Sequence, residues 1–186
     1  RVMGMIYRIP MTAIIGDKGN GFYSYAYSVY TILLLLSSYS LPLAVSKMVS
    51  AKAQLGQWRN VKRVFICAIA FAIGIGTTFG LIVLIGAQFF TRVFFHSELA
   101  AIALRFMAPT ILIMALLGVF RGFFQGKRTM IPTAVSQIIE QVVNAIVSVA
   151  ASYLFMKWNA DSLQQAAWGA AGGTLGTCLG AASALL

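Results

Sequence analysis

Charged residues are scarce in this sequence, and carboxylates are the scarcest of them. Only 10% of the 186 residues are charged, with 4 acidic side chains against 14 basic ones, while 60% are hydrophobic. Soluble globular domains carry about 25% charged residues. The composition therefore excludes an ordinary soluble fold and predicts an integral membrane protein.

The groups that carry enzyme chemistry are also missing. His96 is the single histidine, and no carboxylate pair, nucleophile arrangement or phosphate-cradling glycine loop accompanies it. Cys67 and Cys178 both fall inside apolar runs and lack the spacing of metal ligands, which is typical of inert packing residues. The sequence therefore predicts neither an enzyme nor a cofactor or metal site.

Long uncharged runs are what the sequence has in abundance. Lys18 and Lys47 are separated by 28 uncharged residues, and so are Arg63 and Arg92, whereas about 20 apolar residues suffice to cross a bilayer. Because Arg1 opens inside an apparent helix and the last residues have no polar flank, we expect a fragment. The same count along the whole chain predicts an all-α bundle of six transmembrane helices, at about 1–15, 22–41, 64–90, 99–120, 132–156 and 163–186.

Basic residues concentrate in two of the predicted loops, at residues 43–63 and 121–131. Short loops rich in lysine and arginine remain in the cytoplasm, so both loops and the amino end are predicted to be cytoplasmic. The GDKGNG segment, residues 16–21, is then a tight turn on the outer side, and residues 43–58 form a short interfacial helix after Pro42. The net charge of +10 faces anionic lipid, and nucleic acid is not a predicted partner.

One polar stripe interrupts the apolar surface of the fifth helix. At 100° per residue, all its strongly polar side chains fall within a 160° arc; they are Thr133, Ser136, Gln137, Glu140, Gln141, Asn144, Ser148 and Ser152. Hydrogen bonding between helices, at about 0.6 kcal/mol per contact, accounts for the serines. It accounts poorly for Glu140, because a charge at the bilayer centre costs about 2.5–3.5 kcal/mol.

The first helix supplies the opposite charge. Arg8 lies about 12 Å from the predicted outer end at 1.5 Å per residue, and Arg1 shares its face, so we expect a cavity-facing role for this helix. The predicted substrate-binding residues are Arg8, Arg1, Gln137, Glu140, Gln141 and Asn144. Glycines recur in the third and sixth helices and indicate faces for close helix packing; they are Gly74, Gly76, Gly80, Gly169, Gly172, Gly173, Gly176 and Gly180.

Two blocks of sequence carry a family resemblance. MGMIYRIPMTAIIGDKGNGFYSYAYSVYTILLLLSSYSLPLAVSKMVS and RGFFQGKRTMIPTAVSQIIEQ resemble the amino-terminal lobe of polysaccharide exporters of the stage V sporulation protein B type and of lipid II flippases. These belong to the multidrug/oligosaccharidyl-lipid/polysaccharide (MATE-like) exporter superfamily. The resemblance implies two lobes around a cavity that opens alternately to each side, with the carboxy-terminal lobe missing from this chain, and a substrate with a lipid tail, a pyrophosphate and a sugar.

The resemblance also bears on single residues. Arg8, with Arg1, falls where lipid II flippases carry arginines that meet the pyrophosphate, but the arginine expected in the second helix is absent from TILLLLSS. An arginine often follows the Glu–Gln pair by three residues, and that position is Asn144 here. We therefore expect Glu140 to lack a neighbouring cation in its own lobe and to act as an ion site, a gate or a counter-charge to Arg8.

These inferences predict a flippase that exports lipid-linked cell-wall or polysaccharide precursors across the cell membrane by alternating access. Its partners are a lipid-linked sugar pyrophosphate, membrane lipid and a coupling ion. The alternatives are a cation-coupled multidrug exporter of the same superfamily, for which acidic cavity residues are expected, and a membrane scaffold that transports nothing. A net positive cavity favours the flippase.

Overall fold

The residues that the structure describes form six α-helices. A computed structural model covers residues 2–37, 40–95, 100–158 and 165–185, with side chains throughout except at residues 2–8, 11, 33, 36, 37, 94 and 95. In chain order the helices are α1 (Val2–Ser37), α2 (Leu41–Gln54), α3 (Trp58–Phe95), α4 (Ala100–Gly126), α5 (Ile131–Trp158) and α6 (Gln165–Leu185).

The first helix, α1, is two helical segments joined at one residue. Gly16 has φ 71° and ψ 178°, whereas residues 2–15 and 17–37 are helical. Only glycine adopts such a positive φ without strain, and the space around Gly16 is open. The predicted turn at residues 16–21 is therefore wrong in extent: one glycine makes the bend, and the second segment begins at residue 17 rather than 22.

At this bend α1 lies against the end of α5 and the start of α6. A methyl group built on Gly19 would approach the carbonyl oxygen of Ala166 to 3.1 Å, and one built on Gly169 would meet the thioether of Met156. The side chain of Ile15 is buried at the same place. The predicted outer end of the bundle thus contains the α1 bend, the end of α5 and the start of α6.

The centre of the bundle is α4. Of its most apolar 18-residue stretch 56% is buried, against 22% for α3 and 17% for α5. Its side chains Leu104, Met107 and Ile111 form the main core with the second segment of α1 and with parts of α3 and α6. Helices α3 and α5 therefore lie outside, with large exposed apolar side chains such as Ile85 and Ile146.

The opposite end of the bundle is held together by α2, and we call it the basic end. Pro42 stands in the first turn of α2, where its missing N–H has no helical partner, and Leu41, Val45 and Val49 are buried against α3 and α4. A methyl group built on Gly122 would come within 2.6 Å of the carbonyl oxygen of Pro42. This packing places both lysine- and arginine-rich connections, after α2 and after α4, at one end.

Helix boundaries agree with the sequence to within two residues for α5 and α6. The predicted bounds 64–90 are wrong for α3, which runs from Trp58 to Phe95, so the predicted loop at 43–63 is partly helical. Three helices are long and apolar enough to span a membrane, at Trp58–Val93, Ala100–Gly126 and Ile131–Trp158 within the described residues. The predicted short helix at residues 43–58 is present as α2, which begins at Leu41 and already ends at Gln54. The predicted loop at 121–131 is wrong at its start, because α4 continues to Gly126 and Arg121 is a helical residue.

Candidate functional site

The polar stripe of α5 divides into two halves with different partners. In the second half Asn144, Ser148 and Ser152 are buried, and the hydroxyls of the two serines bond to α6. Ser148 donates to the carbonyl oxygen of Gly173 at 3.1 Å and lies 2.8 Å from Oδ1 of Asn144, while Ser152 donates to the carbonyl oxygen of Gly169 at 2.9 Å. The second half of the stripe therefore joins α5 to α6 by hydrogen bonds and close packing. Asn144 belongs to this contact, since a methyl group on Gly180 would lie 2.9 Å from its Cβ.

Glycines of α6 make this approach possible. A methyl group on Gly172 would lie 2.5 Å from the backbone nitrogen of Ser152, and one on Gly176 would lie 2.5 Å from that of Ser148. One on Gly180 would lie 2.8 Å from the carbonyl oxygen of Glu140. The predicted packing role of the α6 glycines is confirmed. In α3 it holds for Gly76, which faces Leu112, but not for Gly74, which faces open space.

The first half of the stripe holds an ion pair. Nη2 of Arg121 donates to Oε2 of Glu140 at 2.7 Å, and Nε of Arg121 donates to Oγ of Ser136 at 3.0 Å. Both charged side chains are 15% exposed. The expectation that Glu140 lacks a cation in its own lobe is therefore wrong: its partner comes from α4, 19 residues earlier, rather than from position 144.

Arg121 borders a cavity on each side. The first, of about 300 Å³, lies among the end of α1, the start of α2, the last turns of α4 and the start of α5. Its described lining consists of Leu34, Pro42, Met114, Gly118, Arg121, Gln125 and Gln137. The second, also about 300 Å³, lies between α4, α5 and the last residues of α6. The side chain of Arg121 thus reaches from α4 to α5 and lines both cavities.

Helical rise gives the depth of this site. Arg121 is five residues before the end of α4, about 8 Å along the axis, and Glu140 is nine residues after the start of α5, about 14 Å along it. The pair therefore lies well inside the bundle, measured from the basic end. The described lining of the first cavity carries one cation and two carboxamides, which can donate hydrogen bonds to an anion.

The predicted site residues end up in different places. Gln137 lines the first cavity. Glu140 pairs with Arg121, which lines the same cavity. Gln141, one helical turn after Gln137, is half-buried. Arg1 lies outside the described residues, as does the side chain of Arg8, whose backbone belongs to α1. The structure therefore brings Gln137 and Glu140 together and separates Asn144 from them.

The aromatic stripe of α1 belongs mainly to the core. Tyr23 and Tyr30 are buried against α4, and Tyr27 lies between them with ring centroids 5.9 Å from each. This stripe packs helices together more than it lines a cavity.

Sequence reasoning missed Arg121 and Gln125, and a signal for them was present. Gly118, Gly122 and Gly126 recur at intervals of four residues, which continues one helical face past the arginine. Counting charges as loop residues ended the helix too early. Among the described residues, no cluster of three metal-ligating side chains occurs.

Comparison with known proteins agrees with this architecture. The family model described as "Polysaccharide biosynthesis protein" matches residues 1–185. Lipid II flippase MurJ of Bacillus subtilis is 28% identical over 165 residues, covering 84% of this chain and 30% of MurJ. Stage V sporulation protein B of the same organism is 26% identical over 186 residues, covering 100% of this chain and 35% of that protein.

A third relative is the membrane protein YabM of Bacillus subtilis, 29% identical over 175 residues, which cover 94% of this chain and 32% of YabM. The chain thus spans about a third of the length of each of these relatives. No solved structure matches it. Since the family model covers nearly the whole sequence, the chain belongs to the polysaccharide biosynthesis protein family.

Proposed function

We propose that this chain is the amino-terminal lobe of a flippase that moves lipid-linked cell-wall or polysaccharide precursors across the cell membrane. Six transmembrane segments fit this role: the two segments of α1, then α3, α4, α5 and α6. A second lobe would face this one, and the two would rock about a shared cavity to give alternating access. The printed name of the relative lipid II flippase MurJ and the family description "Polysaccharide biosynthesis protein" support the substrate class.

The observation that carries the proposal is the charged site between α4 and α5. An ion pair inside an apolar bundle is expensive in lipid and marks substrate or ion pathways. The described lining of the first cavity contains Arg121, Gln125 and Gln137 and no carboxylate. Such a lining suits an anionic headgroup better than the cationic drugs of a multidrug exporter.

Arg8 remains the proposed phosphate partner in the first segment of α1. Ile15 and Met156 lie at the same level, both against Gly169; with α1 and α5 side by side, Glu140 then lies about 13 Å nearer the basic end than Arg8. Glu140 has its own partner in Arg121. We therefore propose that Arg8 and Arg121 act at two depths of one pathway, and that Glu140 compensates Arg121 rather than Arg8.

Complementation tests the function. The full-length protein that carries this lobe should rescue a flippase-depleted bacterial strain. Arg8→Ala should abolish rescue at normal membrane abundance, and Arg8→Lys should keep part of it, because lysine retains the charge but lacks the two-pronged donor geometry of arginine. Full rescue by Arg8→Ala would refute the phosphate role of Arg8, and failure of the unaltered protein to flip any lipid-linked precursor in vesicles would refute the function.

Cysteine labelling tests the orientation. Lys52 of α2 and Lys127 after α4 lie at the basic end. We propose that this end is cytoplasmic, because short loops rich in lysine and arginine remain in the cytoplasm. A cysteine at either position should react with a membrane-impermeant reagent only after the cells are opened. Labelling of both in intact cells would invert the topology, and labelling of one alone would contradict the shared end.

A further inference from the structure

Arg121 offers more hydrogen-bond donors than the described protein uses. A guanidinium has five N–H groups, and two of them bond to Ser136 and Glu140. The other three have no partner among the described residues, although the side chain is only 15% exposed. A largely buried cation with free donors next to a cavity is a ready-made site for a bidentate anion.

The surroundings of Arg121 add to this capacity. Gln125 lies one turn after it on α4, and Gln137 faces the same cavity from α5. The start of α2 borders the cavity through Pro42, and the partial positive charge of a helix amino terminus favours anions. A volume of about 300 Å³ is many times the ~30 Å³ of one water molecule in the liquid.

We propose that Arg121, Gln125 and Gln137 bind the diphosphate of a lipid-linked headgroup near the basic end, with Glu140 as an internal counter-charge that weakens this binding. The inference rests on the proposed function and adds a site to it. Phosphate oxygens accept the remaining N–H groups of Arg121 and the two carboxamide N–H groups. The sugar and lipid parts are not assigned to particular residues.

Glu140 has two opposite effects in this site. Its carboxylate holds the guanidinium in place through the 2.7 Å contact, and its negative charge repels an incoming phosphate. Glutamine keeps an acceptor for the same N–H and removes the repulsion, so Glu140→Gln should tighten diphosphate binding. A tight site releases its ligand slowly, so the same substitution should slow export.

The test is equilibrium binding of radiolabelled polyprenyl diphosphate to the full-length protein in nanodiscs of zwitterionic phospholipid. Arg121→Gln should weaken binding at least tenfold, the change that about 1.4 kcal/mol produces, because charge-assisted hydrogen bonds are lost. Arg128→Gln is the matched control: it removes the same charge from an exposed position at the same end and should change affinity less than twofold. Glu140→Gln should raise affinity several-fold.

Competition experiments identify the source of the phosphate. Unlabelled polyprenyl diphosphate should displace the label, whereas inorganic pyrophosphate and phosphatidylglycerol should do so only at much higher concentration. Equal competition by pyrophosphate would assign the site to free phosphate, and equal competition by phosphatidylglycerol would assign it to bulk anionic lipid; either result overturns the proposed ligand.

The outcomes separate this inference from the proposed function. Unchanged affinity in both Arg121→Gln and Glu140→Gln, in a protein that still flips precursors, overturns the Arg121 site and leaves the function intact. If Arg121→Gln fails to fold, Glu140→Gln decides: weaker or unchanged binding contradicts the counter-charge role. A protein that neither binds polyprenyl diphosphate nor flips a precursor contradicts the function itself.

Discussion

The two halves of α5 carry similar polar side chains on one face and use them differently. From Asn144 to Ser152 the hydroxyls donate to α6 carbonyl oxygens across a glycine-lined contact that leaves little space. From Ser136 to Glu140 the partner is one arginine of α4, with a cavity on each side. The partner helix therefore decides whether a polar stripe seals an interface or forms a charged site.

Disrupting the contact between α6 and the second half of the α5 stripe, which we call the sealed half (Asn144 to Ser152), should have the largest effect on stability. Gly172→Leu forces a side chain into the backbone of Ala151 and Ser152, where a methyl group already comes within 2.6 Å. Overpacking costs about 1–3 kcal/mol or more, and backbone atoms cannot rotate away, so we expect about 3 kcal/mol or a failure to assemble. The measurement is the thermal unfolding midpoint of the purified protein in detergent.

Gly74→Leu is the control for that experiment, because a methyl group on Gly74 meets no atom within 4 Å. It should leave the midpoint unchanged or raise it slightly, since leucine favours helix more than glycine does. Equal losses in the two variants would show that the α5–α6 contact is not the reason.

Removing one charge of the Arg121–Glu140 pair, in the first half of the stripe, should have the second largest effect on stability. Arg121→Ala leaves the carboxylate of Glu140 largely buried without its cation. Breaking a fully buried pair costs about 3–5 kcal/mol; because both side chains are 15% exposed, we expect about 2 kcal/mol. The loss should shrink when Glu140→Gln is added, and a double-mutant cycle in the unfolding free energy measures this coupling. Additive losses would contradict the ion pair.

A single hydroxyl of the sealed half should matter least. Ser148→Ala removes the bonds to Asn144 and to the carbonyl oxygen of Gly173. The single hydroxyl proton serves both acceptors, and a hydrogen bond between membrane helices averages about 0.6 kcal/mol. The unfolding free energy should therefore fall by about 0.6 kcal/mol, and export should continue. Loss of export by a well-folded Ser148→Ala protein would extend the functional site into the second half.

The sequence was enough to locate most of the helices. Long apolar runs predicted α3 to α6 within a few residues at most ends, because spanning length and backbone hydrogen bonding leave few alternatives. The bend at Gly16 was harder to predict, since three glycines and an asparagine within six residues favour a loop, whereas residues 17–21 are helical. The sequence does not show which of several neighbouring glycines adopts the positive φ that bends the helix.

The site was predicted in part. The angular stripe placed Gln137 and Glu140 on one face of α5, because side-chain direction on one helix follows from its period. It also included Asn144, since the period does not tell which neighbour a face meets. Arg121 was missed because its partnership with Glu140 depends on how α4 and α5 lie together, and a pair on two helices leaves no spacing rule in the sequence.

One measurement tests the central claim that the first half of the α5 stripe is a working site and not a second seal. The double variant Arg121→Gln/Glu140→Gln removes both charges together, so neither ion is left buried without its partner, which is what makes a broken pair strongly destabilising. In complementation of a flippase-depleted strain by the full-length protein, this variant should reach normal membrane abundance and normal unfolding midpoint but fail to rescue growth. Rescue equal to that of the unaltered protein would contradict the account and make the Arg121–Glu140 pair a structural contact.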